Sequence, residues 1–285
     1  MTMLSQPSLG VAYSSRTPGF LASNPDAVDH VELPFELLEH APKVSEIARA
    51  KPVILHCASL SIAGSLPAPP TTLAAIDDWS ARLASPWIGE HLSFISADRA
   101  ASGEHTDEYA PGEPYNIGYT VAPPWNEHTL RTVVAAVEAA GRRLRAPLIL
   151  ENPPIYFPIP SSTMTQTEFI GELCRRSPVG LLLDLAHFYI TSRTMGFDPL
   201  RELLALPLER VVEVHISGVD EEVGASWDNH ASRAPDIEFE LLQHVLAHGG
   251  VRAITLEYNW SAEFPNRVLL EEIARARSVT SQVAT

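Results

Sequence analysis

Cysteine is scarce in this 285-residue chain: Cys57 and Cys174 are its only two. Two cysteines make no disulfide framework and suit a reducing compartment. Basic residues are also few, 20 Lys and Arg against 35 Asp and Glu, for a net charge of −15. So acidic a surface repels phosphate backbones and anionic lipid heads, which argues against nucleic acid and membranes as partners. No apolar run reaches about 18 residues, and the start, MTMLSQPSLG, has no basic stretch followed by an apolar core. A cytoplasmic protein is expected. Also missing are a Gly-rich phosphate loop, a G-x-S-x-G elbow, a Cys–His nucleophile signature, an internal repeat and a dividing linker.

The chain does have enough apolar residues for a sizeable core, 45% of the total, and its 19% charged residues are too few for a disordered chain. Short runs rich in Val, Ile and Leu recur at 9–14, 28–34, 52–57, 87–92, 147–152, 180–185, 211–216 and 253–258. Their brevity and continuity suit strands buried on both faces of a parallel sheet. The intervening segments carry helical patterning, clearest in NEHTLRTVVAAVEAAGRRL, TQTEFIGELCRRS and DIEFELLQHVLAHGG, the last ending on glycines as helices do. About eight βα units predict an α/β fold, a (β/α)8 TIM barrel, as a single domain over residues 1–285. The stretch 97–124 lacks periodicity and reads as a long loop over the barrel. The tail after about residue 278 is expected to fray.

Strand after strand ends in a residue able to bind a divalent metal: His56, then Glu90 and His91, then Glu151, Asp184, His215 and Glu257. In a barrel these C-terminal ends converge on one face. Asp184 and His187 form D-x-x-H just past a strand, and Asp228 and His230 form D-x-H in the loop after His215. Singly, each has an ordinary explanation: a strand-end histidine is usually hydrogen-bonded structure, and a strand-end carboxylate often caps the next helix. Together, so many carboxylates and imidazoles in one cup need cations to compensate them. Part of the formal acidity therefore belongs to this cup rather than to the surface. Glu213, two before His215, shares its face and reads equally as an outer partner or a ligand. His30, His40, His128, His244 and His248 read as surface or core residues, and Cys57 as a small core residue. His105, in the long loop, is a weaker candidate for the site. Arg193, in a polar stretch at 191–199, is placed to meet an anionic substrate group.

The ligand order resembles that of endonuclease IV and the xylose isomerase-like barrels. More closely, the wording VELPFELL, LHCASLSIAG, WIGEHLSF, LILENP, LLLDLAHFYI, FDPLRELLALPLERVVEVHISG, DNHA and TLEYNW is similar to the multinuclear non-haem iron-dependent oxidative enzymes, which include the methanobactin biosynthesis oxidase. The resemblance covers nearly the whole chain, and its specificity lies in the order and spacing of the fragments. It implies three iron sites: His56, His91 and Glu151 in one; Glu151 as a bridge with Asp184, His215 and Glu257 in the second; His187, Asp228 and His230 in the third. Of these, Glu151, Asp184 and His215 would stand at the catalytic heart. Many members have Asn in a D-x-N-N pattern where this chain has His187, which implies a stronger third site here.

Imidazole and carboxylate without thiolate favour iron, manganese or zinc. The resemblance implies two to three iron ions, Fe(II) and Fe(III), acting with dioxygen on a precursor peptide or a related small thiol or carboxylate. The side chain modified would be cysteine or, in some members, aspartate, often with a small leader-binding partner protein. The loop at 97–124 is the expected place of peptide contact. Two other enzyme classes share the barrel: a zinc endonuclease, which the net charge opposes, and a sugar isomerase or epimerase, which needs an acid/base beside the metal and finds no strand-end lysine. A metal-storage role fits less well, because open βα loops favour catalysis.

Overall fold

The structure is a computed structural model and describes residues 6–98, 114–222 and 224–283. Its strands are β1 (Ser8–Ala12), β2 (His30–Pro34), β3 (Val53–Cys57), β4 (Ile88–His91), β5 (Phe94–Asp98), β6 (Pro114–Val121), β7 (Leu148–Glu151), β8 (Gly180–Asp184), β9 (Val211–Ile216), β10 (Val219–Glu222), β11 (Ala225–Asp228) and β12 (Ala253–Leu256). Eight of them close a parallel barrel in the order β1-β2-β3-β4-β7-β8-β9-β12 and back to β1. All eight coincide with the apolar runs of the sequence. The helices are α1 (Thr17–Ser23), α2 (Phe35–His40), α3 (Pro70–Leu83), α4 (Glu127–Gly141), α5 (Gln166–Arg176), α6 (Leu185–Met195), α7 (Pro199–Leu203), α8 (Asp236–Ala247) and α9 (Asn266–Val283).

Local chemistry sets the helix starts and stops. The Asn126 side chain accepts from the Thr129 N–H, and Thr165 with Glu168 closes a reciprocal capping box on α5. After α8, Gly249 and Gly250 take positive φ and end it.

Strand pleating has a period of two, so alternate residues face the barrel lumen. One set, including Val53, Leu55, Leu181 and Leu183, belongs to the main core that also takes in helix side chains. The lumen set, Ile54, Trp87, Ile149, Leu182 and Ala253, forms a small separate cluster. Two residues further along their strands, the lumen positions become His56, Gly89, Glu151, Asp184 and Thr255.

Three expectations need correction. The stretch 97–124 holds an antiparallel hairpin: β5 pairs with β6 from Phe94↔Val121 to Asp98↔Pro114. Its β-branched and aromatic residues suit a strand even without a buried face to impose alternation. Residues 99–113, His105 among them, lie outside the described residues. The C-terminal end is helical through Val283, not frayed after 278, because Val279 packs on the core, Thr280 is buried and Arg277 pairs with Asp29. Residues 191–195 are the last turns of α6 rather than a polar loop. Arg193 there is exposed and does not line the cleft described below.

Candidate metal centre

The lumen positions at the C-terminal strand ends bring the sequence candidates into one buried group. His56 Nε2 lies 3.2 Å and His91 Nε2 3.3 Å from Glu151 Oε2. The other oxygen, Oε1, lies 3.3 Å from His187 Nδ1 and 3.7 Å from His215 Nδ1. Glu151 therefore turns one oxygen to each of two donor groups, as a bridging carboxylate must. His215 Nδ1 is also 3.7 Å from Glu257 Oε1 and 4.0 Å from Asp184 Oδ2.

Several of these separations are longer than good hydrogen bonds. Those of 3.2–3.3 Å around Glu151 match two ligands of one ion, which stand roughly 3–3.4 Å apart when each bond is about 2.1 Å. Among the described residues, four triads have donor atoms within 4.8 Å of one another: Glu32–His56–His215, His56–His91–Glu151, Glu151–Asp184–His187 and Asp184–His215–Glu257. Fully buried Glu151 Oε2, Asp184 Oδ2, His56 Nδ1 and His215 Nδ1 have no hydrogen-bond partner. Orphaned atoms of this kind are costly unless something else satisfies them, and the donor set fits divalent iron, manganese or zinc.

His187, Asp228 and His230 meet differently. Both His187 Nε2 and His230 Nε2 lie 3.0 Å from Asp228 Oδ2, and His230 Nε2 is 3.3 Å from Glu257 Oε2. They form a chain through Asp228 rather than one of the compact triads. His187 faces both ways, because its Nδ1 is also 3.6 Å from Asp184 Oδ2 and 3.0 Å from the Asn152 carbonyl. His187 stands in the first turn of α6 and the β10–β11 hairpin brings the other two: Asp228 ends β11, and His230 follows with φ of 56°, a left-handed conformation uncommon for histidine.

Electrostatics reflect the crowding. Burial alone would depress the His56, His187 and His215 imidazoles, but facing carboxylates hold all three well above the usual histidine range. Burial also drives Asp184 up to about 7, with Glu257 and Glu151 adding to the push. Burial works to raise Glu151 too, yet His91 and the bonds from His187 and His56 keep it well below the carboxylate range.

Some strand-end residues serve the frame. Glu90, next to His91 in sequence, points outward by the pleat: it accepts from the Leu60 N–H at 2.9 Å and the Cys57 thiol at 3.2 Å. Burial raises it to about 8, and it stands apart from the ligand group. Asp184 fills both of its sequence roles, since Oδ1 caps α6 by accepting from the His187 N–H while Oδ2 stays with the donors. Gly89 makes room for His56: a Cβ there would meet Nδ1 at 2.8 Å.

Sequence reasoning missed Glu32. It lies within VDHVELP, buried, with Oε2 2.9 Å from His215 Nε2 and 3.5 Å from His56 Nδ1. Two-residue alternation from His30 was the available signal. Also missed was the cleft above the donors. It has a volume of about 670 Å³, with His91, Glu151, His187, Asp228, His230 and Glu257 on its polar side. Phe94, Tyr119 and Val121 of the β5–β6 hairpin wall it, together with Ile155, Phe157 and Ile159 from the stretch after β7. Trp227 stacks on Tyr156, ring centroids 5.0 Å apart.

Solved structures share the fold. A xylose isomerase domain containing protein from Salmonella typhimurium aligns over 98% of this chain and 99% of its own, with a TM-score of 0.63 and 15% identity. Endonuclease IV from Thermus thermophilus aligns over 95% and 100%, at 0.60 and 18%. In sequence the chain is similar to a UPF0276 protein of Anaeromyxobacter sp., 30% identical over 237 residues, or 83% of this chain and 78% of that one. A UPF0276 protein of Caulobacter vibrioides is 26% identical over 284 residues, 96% of each. Residues 9–281 match the model of the RiPP precursor modification enzymes MbnB/TglH/ChrH. The chain, with its barrel and its ring of inward-facing donors, belongs to that family.

Proposed function

We propose that the protein is a multinuclear iron-dependent oxidase that uses dioxygen to modify a cysteine side chain of a ribosomally synthesised precursor peptide, with aspartate as the alternative target. The observation that carries this reading is a set of buried, unpartnered donors gathered around Glu151 beneath an apolar cleft. Membership of the precursor-modifying family supports a peptide substrate.

His56, His91 and Glu151 would hold one iron, and Glu151, Asp184, His215 and Glu257 a second. His187, Asp228 and His230 would hold a third at the mouth. Bound there, iron supplies redox chemistry with dioxygen that no side chain offers. The chain supplies the rest. Glu151 ties two sites together, and buried His215 and Asp184 fix the geometry of the inner one. Apolar walls from Phe94, Val121 and Ile155 exclude water around an inserted side chain. The cleft volume suits one residue and its neighbours rather than a whole peptide. A small partner protein would hold the leader segment outside.

The two rival chemistries gain nothing from this site. A net charge of −15 on the chain opposes a phosphodiester backbone. The chain's lysines, Lys43 and Lys51, both precede β3, and Lys51 stands at the opposite end of that strand from His56. No lysine is therefore placed for sugar isomerisation at the metal.

Metal analysis after anaerobic purification should find about two to three irons per chain, with oxygen uptake that depends on a cysteine-bearing precursor peptide. Zinc alone, with no oxygen uptake when ferrous iron is supplied, would sink the proposal.

A further inference from the structure

Glu32 lies deeper in the lumen than the donor ring, two residues before the end of β2. Its Oε2 is 2.9 Å from His215 Nε2 and 3.5 Å from His56 Nδ1. Each of these nitrogens is the one turned away from its own donor group: His56 presents Nε2 to Glu151 and His91, while His215 presents Nδ1 to Glu151, Asp184 and Glu257. Apart from this approach, His56 Nδ1 is without a hydrogen-bond partner. A neutral imidazole carries one N–H, and whichever nitrogen donates it leaves the other as the lone-pair donor. The neighbouring lumen carboxylate, Glu213, is 3.9 Å from His215 Nε2, and its oxygens already accept from Thr255 Oγ1 at 2.7 Å and Trp87 Nε1 at 2.7 Å.

We propose that Glu32 is a positioning residue shared by two metal sites, a single carboxylate oxygen that accepts from both His56 Nδ1–H and His215 Nε2–H. It thereby fixes which nitrogen each histidine offers and at what angle. A carboxylate behind a ligating imidazole commonly sets tautomer and orientation, and losing one costs about 10–100-fold in metal affinity. Here one group stands behind ligands of two different sites, so the sites are coupled from below by Glu32 as they are from above by Glu151. The inference rests on the metal-centre reading.

Anaerobic Co(II) titration of the metal-free full-length chain tests both and tells them apart, with bound ions counted and the visible d–d bands recorded. Wild type should bind more than one Co(II). For Glu32→Gln we expect weakening at two ions together, each by about 10–100-fold, with altered d–d bands and an unchanged far-UV dichroism spectrum. Glu32→Asp keeps the charge but is too short to span both histidines, so it should weaken one ion more than the other; it also serves if Glu32→Gln does not fold. Unchanged affinities and bands in both variants would overturn the proposal. So would loss of a single ion with the others untouched, which would make Glu32 a ligand in its own right. Wild type that binds no Co(II) would instead bring down the metal-centre reading beneath it.

Discussion

The barrel lumen holds two buried polar layers, and they are satisfied in opposite ways. In the lower one every group has a partner. Ser8 Oγ donates to His30 Nδ1 at 2.8 Å, His30 Nε2–H donates to Thr255 Oγ1 at 3.0 Å, and Thr255 passes its own proton toward Glu213. Trp87 satisfies the other Glu213 oxygen. In the upper layer Glu151 Oε2, Asp184 Oδ2 and His215 Nδ1, all turned toward the donor group, go without. Burial depth is similar, so depth does not mark function. What marks it is unmet demand: a closed relay of donors and acceptors is architecture, and a ring of orphaned ligand atoms is a place for cations. His30 fits the first description, since burial lowers it to about 4 and leaves it neutral.

The sharpest way to break this contrast is at its centre. Glu151→Gln replaces an oxygen shared by two donor groups with an amide nitrogen that cannot ligate. Both bridged ions should be lost together, by more than the roughly 100-fold that outer partners cost. Elemental analysis of the purified variant checks this, and retention of one of the two ions would refute bridging. His187→Ala comes next, because it should deplete the mouth site and spare the other two. That site should also respond to pH. Burial alone would lower His230, but Glu257 and Asp228 raise it to about 9. A metal must displace that proton, so affinity there should fall as pH drops below about 9, by up to roughly tenfold per unit. A Co(II) affinity at the mouth site that stays flat from about pH 7 to pH 9 would contradict it.

Two glycines allow the same perturbation in each layer. A Cβ at Gly10 would meet the His30 ring at 2.2 Å, and one at Gly89 would meet His56 Nδ1 at 2.8 Å. Both alanine substitutions overpack the lumen, at a cost of about 1–3 kcal/mol. Gly10→Ala should lower the denaturation midpoint with metal content unchanged. Gly89→Ala should also shed metal from the His56 site. If both variants lose metal equally, the layers are not independent.

Sequence reasoning reached the barrel and most of the upper layer for the same reason: buried parallel strands are short apolar runs, and a polar residue ending one is conspicuous. It could not separate Glu90 from His91, because adjacency in sequence says nothing about which side of the pleat a residue takes. Glu32 escaped since it lies inside a run rather than at its end, where a carboxylate looks like part of ordinary polar alternation. The hairpin bearing Asp228 was read as a loop because four-residue strands at a barrel rim bury little and leave no periodic trace. The cleft walls, rich in proline and aromatics after β7, have no pattern that distinguishes a binding surface from a connection.

The smallest expected effect lies at the rim. Trp227, 47% exposed, stacks on Tyr156 of the cleft wall, and the next residue is Asp228. Such a pair is worth about 0.5–1.5 kcal/mol beyond its burial, too little to hold the barrel but enough to shape an entrance. Trp227→Ala should therefore raise KM for the peptide several-fold, with kcat, iron content and thermal midpoint near wild type, whereas Trp227→Phe should restore KM by restoring the stack. Oxygen uptake against peptide concentration distinguishes the cases. Should iron content fall with the alanine variant, the stack would be positioning Asp228 rather than substrate, and the rim would belong with the metal layer beneath it.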